Sequence, residues 1–190
     1  SFQFTHEPVW HQPSSIIPLA GLPHFSDKRL LHHWLLDKGS LTQKLIEKSH
    51  GNFHVEVLQQ SIQAVTFSEK RALRIPQRQW AVSREVVLYG NQIPWVYART
   101  VIPLSTLQGR LRQLYYLGNK PLGEALFKDP TMQREAVEVA QFHYQQLPSM
   151  LNVSEPTWGR RSVFRLSNKP LLVSEIFLPA LFNDDESSSL

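Results

Sequence analysis

The chain has 190 residues, 42% of them hydrophobic and 11% aromatic, with a formal net charge of +4 and a pI of about 9.5. That length and composition suit one globular domain with a single core and exclude a disordered chain. There is no cysteine, which excludes disulfides, thiolate catalysis and thiolate metal sites. No apolar run is long enough to form a transmembrane helix. The first residues lack the basic-then-apolar pattern of a signal peptide, so a cytoplasmic setting is expected. The mild basic excess suits a small anionic ligand; no basic run or zinc-finger spacing supports nucleic acid.

Residues 1–25 carry Pro8, Pro13, Pro18 and Pro23, a density that prevents a regular helix or central strand. We expect an extended arm over the surface. Ser26 is a candidate N-cap for a helix with Leu30, Leu31, Trp34 and Leu35 at helical spacing, stopped by Gly39. Ser40 caps a second, with Gln43 at capping-box spacing and Leu41, Leu45 and Ile46 on its apolar side. Phe53, Val55 and Val57 alternate with polar neighbours as a strand, and a weaker strand follows around 62–67. The basic stretch 68–78 reads as a solvated linker. Trp80–Tyr89 and Trp95–Ile102 predict a hairpin through a loop at 90–94. Leu104, Leu107, Leu111 and Leu114 recur at helical spacing, and Pro121 opens another short helix. Residues 131–144 fit helix or strand. Ser162–Leu166 and Leu171–Leu178 form a second hairpin, and the tail after Pro179 is expected to be disordered. Strands in hairpins with helices elsewhere predict an α+β domain on an antiparallel sheet, spanning 26–182 between the arm and an acidic flexible tail at 183–190.

The recognisable loops for nucleotides, dinucleotides and serine nucleophiles are absent, and no histidine–carboxylate group has metal-ligand spacing. What stands out is Glu175 inside an otherwise apolar strand. Alternation places it on one face with Leu171, Val173 and Phe177. A carboxylate there needs a partner or a cavity; the bland alternative is an edge position or a structural ion pair. Arg84 shares a face with Val86 and Leu88, and Arg99 with Trp95, Tyr97 and Val101. A buried arginine needs an anion, whether Glu85, Glu175 or a ligand carboxylate. The Arg160-Arg161 pair is a further candidate for an anion, with surface charge the favoured reading.

Several blocks, in order, carry a resemblance. They are Trp34-Leu-Leu-Asp-Lys-Gly-Ser-Leu-Thr42, Arg84-Glu-Val-Val-Leu88, Ala98-Arg-Thr-Val-Ile-Pro103, Leu117-Gly-Asn-Lys-Pro-Leu-Gly123, Trp158-Gly-Arg-Arg-Ser162 and Lys169-Pro-Leu-Leu-Val-Ser-Glu-Ile-Phe-Leu-Pro179. Together they resemble the chorismate lyase family.

The resemblance implies conversion of chorismate to 4-hydroxybenzoate and pyruvate, an early step of ubiquinone synthesis, with no metal or organic cofactor. It implies an antiparallel sheet whose flanking helices cover a buried ligand site, and it selects strand for 131–144. By position, Arg84 binds the ring carboxylate and Glu175 contacts the ring hydroxyl and assists proton movement. Backbone groups of Leu41 and Leu122 complete the site. Arg99 is the remaining candidate, for the enolpyruvyl carboxylate or for steering entry. The expected partners are chorismate and 4-hydroxybenzoate, with no nucleic acid, no integral membrane segment and a monomeric state. The fold also resembles the effector-binding domain of some transcriptional regulators, which bind small ligands without turnover.

Overall fold

The computed structural model describes residues 7–16, 28–76 and 79–185. Its core is a seven-stranded antiparallel sheet. The strands are β1 (Phe53–Ala64), β2 (Trp80–Gly90), β3 (Ile93–Pro103), β4 (Gln133–Arg134), β5 (Glu138–Phe142), β6 (Thr157–Leu166) and β7 (Lys169–Phe177). The order is β1-β2-β3-β7-β6-β4, with β5 also paired to β6. The helices are α1 (Lys28–Leu35), α2 (Leu41–Lys48), α3 (Phe67–Leu73) and α4 (Leu122–Lys128), joined by 3-10 helices that include Gly109–Tyr116 and Pro179–Asp185. The fold is α+β. Among the described residues no helix is long and apolar enough to cross a membrane.

Two hairpins set the register. β2 and β3 turn through Asn91-Gln92 (φ 52° and 63°), and β6 and β7 through Ser167-Asn168 (φ 48° and 62°). Positive φ at both turn residues matches the twist of the flanking strands. The first turn is thus shorter than the expected five-residue loop. In the centre, Val86, Ala98, Glu175 and Arg160 form one transverse row, and Arg84, Thr100, Val173 and Ser162 the next. Both rows face the same side, because side chains alternate along each strand.

That side is covered by α1, α2, α4 and the 3-10 helix at Gly109–Tyr116. Trp34, Leu35, Leu41 and Leu45 pack on Val86, Leu88 and Val96, while Leu111, Leu114 and Leu126 pack on Ile102, Phe164 and Leu171. Leu45 is fully buried, and such a side chain contributes about 1.5–3 kcal/mol. The opposite side is covered by α3 and by the segment from Phe142 to Val153. Leu73 packs there on Val101 and Leu172, and Leu147 and Phe142 on Tyr97 and Ile176.

The structure corrects several expectations. The two strands at 53–58 and 62–67 are one strand, β1, with a register shift between Val57 and Gln59. The solvated linker at 68–78 is largely α3: Thr66 caps it by accepting from the Glu69 N–H (3.2 Å), and Arg74 ends it in the left-handed conformation. Ser40 accepts from the Gln43 N–H (3.2 Å), but the Gln43 side chain reaches Glu47 instead of closing a capping box. The stretch with Leu111 and Leu114 is 3-10, not α. The chain after Pro179 is ordered through Asp185, with Leu181 fully buried. Residues 131–144 hold β4 and β5. The Ser26 cap, most of the expected N-terminal arm and the end of the acidic tail lie outside the described residues. From the arm, His11 bridges to Val139, and Trp10 packs edge-on against Phe142.

Candidate active site

Between the two apolar clusters on the α1/α2/α4 side lies a cavity. Its floor is Arg84, Val86, Ala98, Thr100, Val173, Glu175 and Arg160 of the central strands; Val55, Phe164 and Arg134 extend it; Leu41, Thr42, Pro121, Leu122 and Gly123 form the lid. The lid is tight where α2 and α4 meet. A Cβ on Gly123 would come 2.5 Å from Thr42 Oγ1, so only glycine permits this approach. Leu41 and Leu122 are the first residues of α2 and α4. The N–H at that position has no acceptor within its own helix.

Four charged side chains line the cavity: Arg84, Arg134, Arg160 and Glu175. Arg84 is buried, and its guanidinium donates to the carbonyls of Gly118 (2.7 Å) and Lys120 (3.0 Å). Among the described residues no carboxylate pairs with it. Burial pulls its pKa below the ordinary arginine value. Glu175 does have a cation: Arg160 Nε lies 3.0 Å from its Oε1. Arg160 Nη1 also donates to the carbonyls of Trp34 (3.0 Å), Leu35 (3.3 Å) and Asp37 (2.7 Å). One arginine therefore ties β7 to the end of α1. Arg134 donates from Nε to Ser162 Oγ (3.1 Å) and lies over the Phe164 ring, 5.0 Å from its centre. Burial first, and then the charge of Arg160, lower its pKa, against smaller raising effects from Glu175 and Asp37.

Arg84, Glu175, Leu41 and Leu122 are thus brought together at one cavity. Arg99 is not with them. Alternation sends its neighbours Ala98 and Thr100 to the cavity and Arg99 through to the far face. There it meets Glu69 (3.0 Å), Glu85 (3.4 Å) and Ser83 Oγ (2.7 Å), and Tyr97 donates to the same Glu85 oxygen (2.8 Å). Burial works against the Arg99 charge, but Glu69 and Glu85 outweigh it and raise its pKa. The same acid beside it pushes the buried Tyr97 phenol upward, after burial itself. Arg160 and Arg161 are not surface charge: both are buried. Arg161 points to the far face, pairing with Glu138 (3.2 Å) and Ser68 Oγ (2.8 Å) beneath Trp10. Reasoning from sequence favoured surface charge for Arg160 and did not single out Arg134. The available signal for Arg160 was its place in a strand next to the strand of Glu175. Among the described residues no group of three or more histidines and acids is placed to hold a metal ion.

The fold is shared with transcriptional regulators at low sequence identity. The effector domain of PhnF from Mycobacterium smegmatis superposes with a TM-score of 0.55 at 13% identity, covering 75% of this chain and 90% of that one. A GntR-family regulator from Bacillus cereus gives 0.53 at 12% identity, covering 70% and 95%. Sequence relatives are far nearer. A Psychromonas ingrahamii protein named "Probable chorismate pyruvate-lyase" is 46% identical over 156 residues, 77% of this chain and 81% of its own. A Pseudomonas fluorescens protein named "Probable chorismate pyruvate-lyase 2" is 38% identical over 180 residues, 95% of this chain and 94% of its own. The family model for chorismate lyase matches residues 12–187. With that coverage, the chain belongs to the chorismate lyase family.

Proposed function

We propose that the chorismate lyase reaction of this chain, elimination of pyruvate from chorismate to leave 4-hydroxybenzoate, takes place in the cavity under α2 and α4. The observation that carries this reading is the charge of the lining, where Arg84, Arg134 and Arg160 face a single acid, Glu175. A surplus of cations in a largely apolar cavity suits a small planar substrate with two carboxylates.

Arg84 takes the ring carboxylate. Its present partners are neutral carbonyls, so a carboxylate supplies the anion its burial lacks. The N–H groups of Leu41 and Leu122 add donors from the lid. At the opposite end Glu175 receives the ring hydroxyl, and Arg160 fixes the position of its carboxylate. The reaction breaks the C–H bond at the hydroxyl-bearing carbon and the adjacent C–O bond of the enolpyruvyl ether. The freed electron pair completes the aromatic ring, and the three-carbon fragment leaves as an enolate that is protonated to pyruvate. Aromatisation supplies the driving force, so the chain contributes orientation, electrostatics and a dry enclosure. In this reading Glu175 moves the proton, and the product enters ubiquinone synthesis.

Purified protein mixed with chorismate should develop the aromatic absorbance of 4-hydroxybenzoate together with an equal amount of pyruvate. Glu175→Gln should slow turnover by about a hundredfold or more, the usual worth of a positioned acid or base. Full turnover by Glu175→Gln would remove that residue from the chemistry. Tight 4-hydroxybenzoate binding with no turnover by the unaltered protein would favour a sensor.

A further inference from the structure

Chorismate carries two carboxylates, and the ring anchor accounts for one. Arg99, the candidate for the other from sequence, is on the far face with its charge met by Glu69 and Glu85. Arg160 is committed to Glu175 and to the carbonyls at the end of α1. Arg134 is the cavity cation whose charge is unanswered. Among the described residues its hydrogen bonds are one to Ser162 Oγ and a long one, 3.5 Å, to the Asp37 carbonyl, and no carboxylate pairs with it. Its guanidinium is held against Phe164, and among the described residues its second terminal nitrogen has no hydrogen-bond acceptor.

Position agrees with charge. Ser162, to which Arg134 is bonded, lies in the transverse row that begins with Arg84. Three strand spacings of about 4.8 Å separate those two backbones by about 14 Å. The two uncompensated arginines therefore reach into the cavity from opposite sides. Arg134 comes from the side of β6, close enough to Glu175 to feel its charge. In chorismate the enolpyruvyl ether is on the ring carbon next to the one bearing the hydroxyl. A ring held with its carboxylate on Arg84 and its hydroxyl on Glu175 must place the enolpyruvyl group at the Glu175 end. We propose that Arg134 binds the enolpyruvyl carboxylate, and so is the residue that distinguishes substrate from aromatic product. This rests on the chorismate reading above. The consequence is asymmetric. When the C–O bond breaks, the carboxylate held by Arg134 departs with pyruvate, and the contact to the ring product is lost with it.

The test is Arg134→Gln, with Arg134→Lys beside it. For Arg134→Gln the KM for chorismate should rise about tenfold or more with kcat changed much less, the signature of a contact made equally in ground and transition states. The dissociation constant of 4-hydroxybenzoate, measured by titration calorimetry, should stay within about twofold, because that molecule never reaches Arg134. Arg134→Lys keeps the charge and should recover part of the KM. An unchanged KM, or equal losses for chorismate and 4-hydroxybenzoate, would overturn the proposal, the second outcome marking a structural role. If Arg134→Gln does not fold, the same pair of measurements on Arg134→Lys decides: a raised KM with unchanged product affinity supports the proposal, and any other combination overturns it. Absence of turnover by the unaltered protein would instead count against the chorismate reading itself.

Discussion

Both faces of the sheet bury arginines, and the difference between them lies in what answers the charge. On the α3 face Arg99 meets Glu69 and Glu85, and Arg161 meets Glu138. On the α2/α4 face Glu175 answers Arg160, while Arg84 and Arg134 have only neutral acceptors among the described residues. Burial works against the charge of Arg99, Arg84 and Arg134 alike. On the first face the acids reverse the effect and Arg99 is raised; on the second Arg84 and Arg134 are lowered. Burial alone therefore does not mark a site. What separates the two faces is whether an acid stands beside the cation: every arginine named on the α3 face has one, and Arg84 and Arg134 on the α2/α4 face have none among the described residues.

The largest effect should come from breaking the balanced face. Arg99→Leu leaves Glu69 and Glu85 buried without their cation and should cost about 3–5 kcal/mol in urea unfolding. At temperatures where the variant is folded its KM for chorismate should be unchanged. A raised KM there would mean that the two faces are not separate in function. Arg84→Met is the counterpart. Gly118 and Lys120 sit in an exposed turn, so water can replace the guanidinium at their carbonyls, and stability should change by less than about 1 kcal/mol. Affinity for 4-hydroxybenzoate should fall by about 2–5 kcal/mol, the cost of removing one partner of a buried charged contact. Calorimetric titration and unfolding on the same sample check both halves. A large stability loss with intact affinity would move Arg84 to the structural class.

The same contrast explains what could be read in advance. The period of two placed Arg84 with Val86 and Leu88, and Glu175 with Leu171 and Val173, and each set does share a face. It could not say which face of the sheet β3 offers to a ligand. From Trp95 to Pro103 every residue is buried, and a strand covered on both sides has no polar edge to orient it. Arg99 was therefore grouped with its true neighbours, Tyr97 and Val101, but joined to the wrong cavity. Arg160 and Arg161 were misread for a related reason. Two adjacent arginines look like solvated charge, yet on a strand covered on both sides they point in opposite directions, each to its own acid on another strand. Glu69 looked like part of a linker because its partner lies 30 residues away. Local signals did better. The Ser40 cap, Pro121 at the start of α4, the two hairpin turns and the order of the matching blocks depend on neighbours in sequence, and those elements lie close to where they were expected.

The smallest effect gives the sharpest form of the comparison, because it holds the local chemistry constant. Ser40 and Thr66 cap their helices in the same way. Each side-chain oxygen accepts the N–H three residues on, at 3.2 Å, at the start of a short helix. Ser40→Ala and Thr66→Ala should each cost about 1 kcal/mol of stability. They differ in which face the helix covers. Thr66 caps α3, whose Glu69 holds Arg99, so its loss should leave 4-hydroxybenzoate affinity untouched. Ser40 precedes Leu41 and Thr42 of the cavity lid. Loosening the first turn of α2 should weaken 4-hydroxybenzoate binding by a few fold, read mainly as faster dissociation, since related complexes differ chiefly in that rate. Equal ligand affinities in the two variants would show that the first turn of α2 does not position the ligand, and would remove the Leu41 N–H from the site while leaving Arg84 and Glu175 in place.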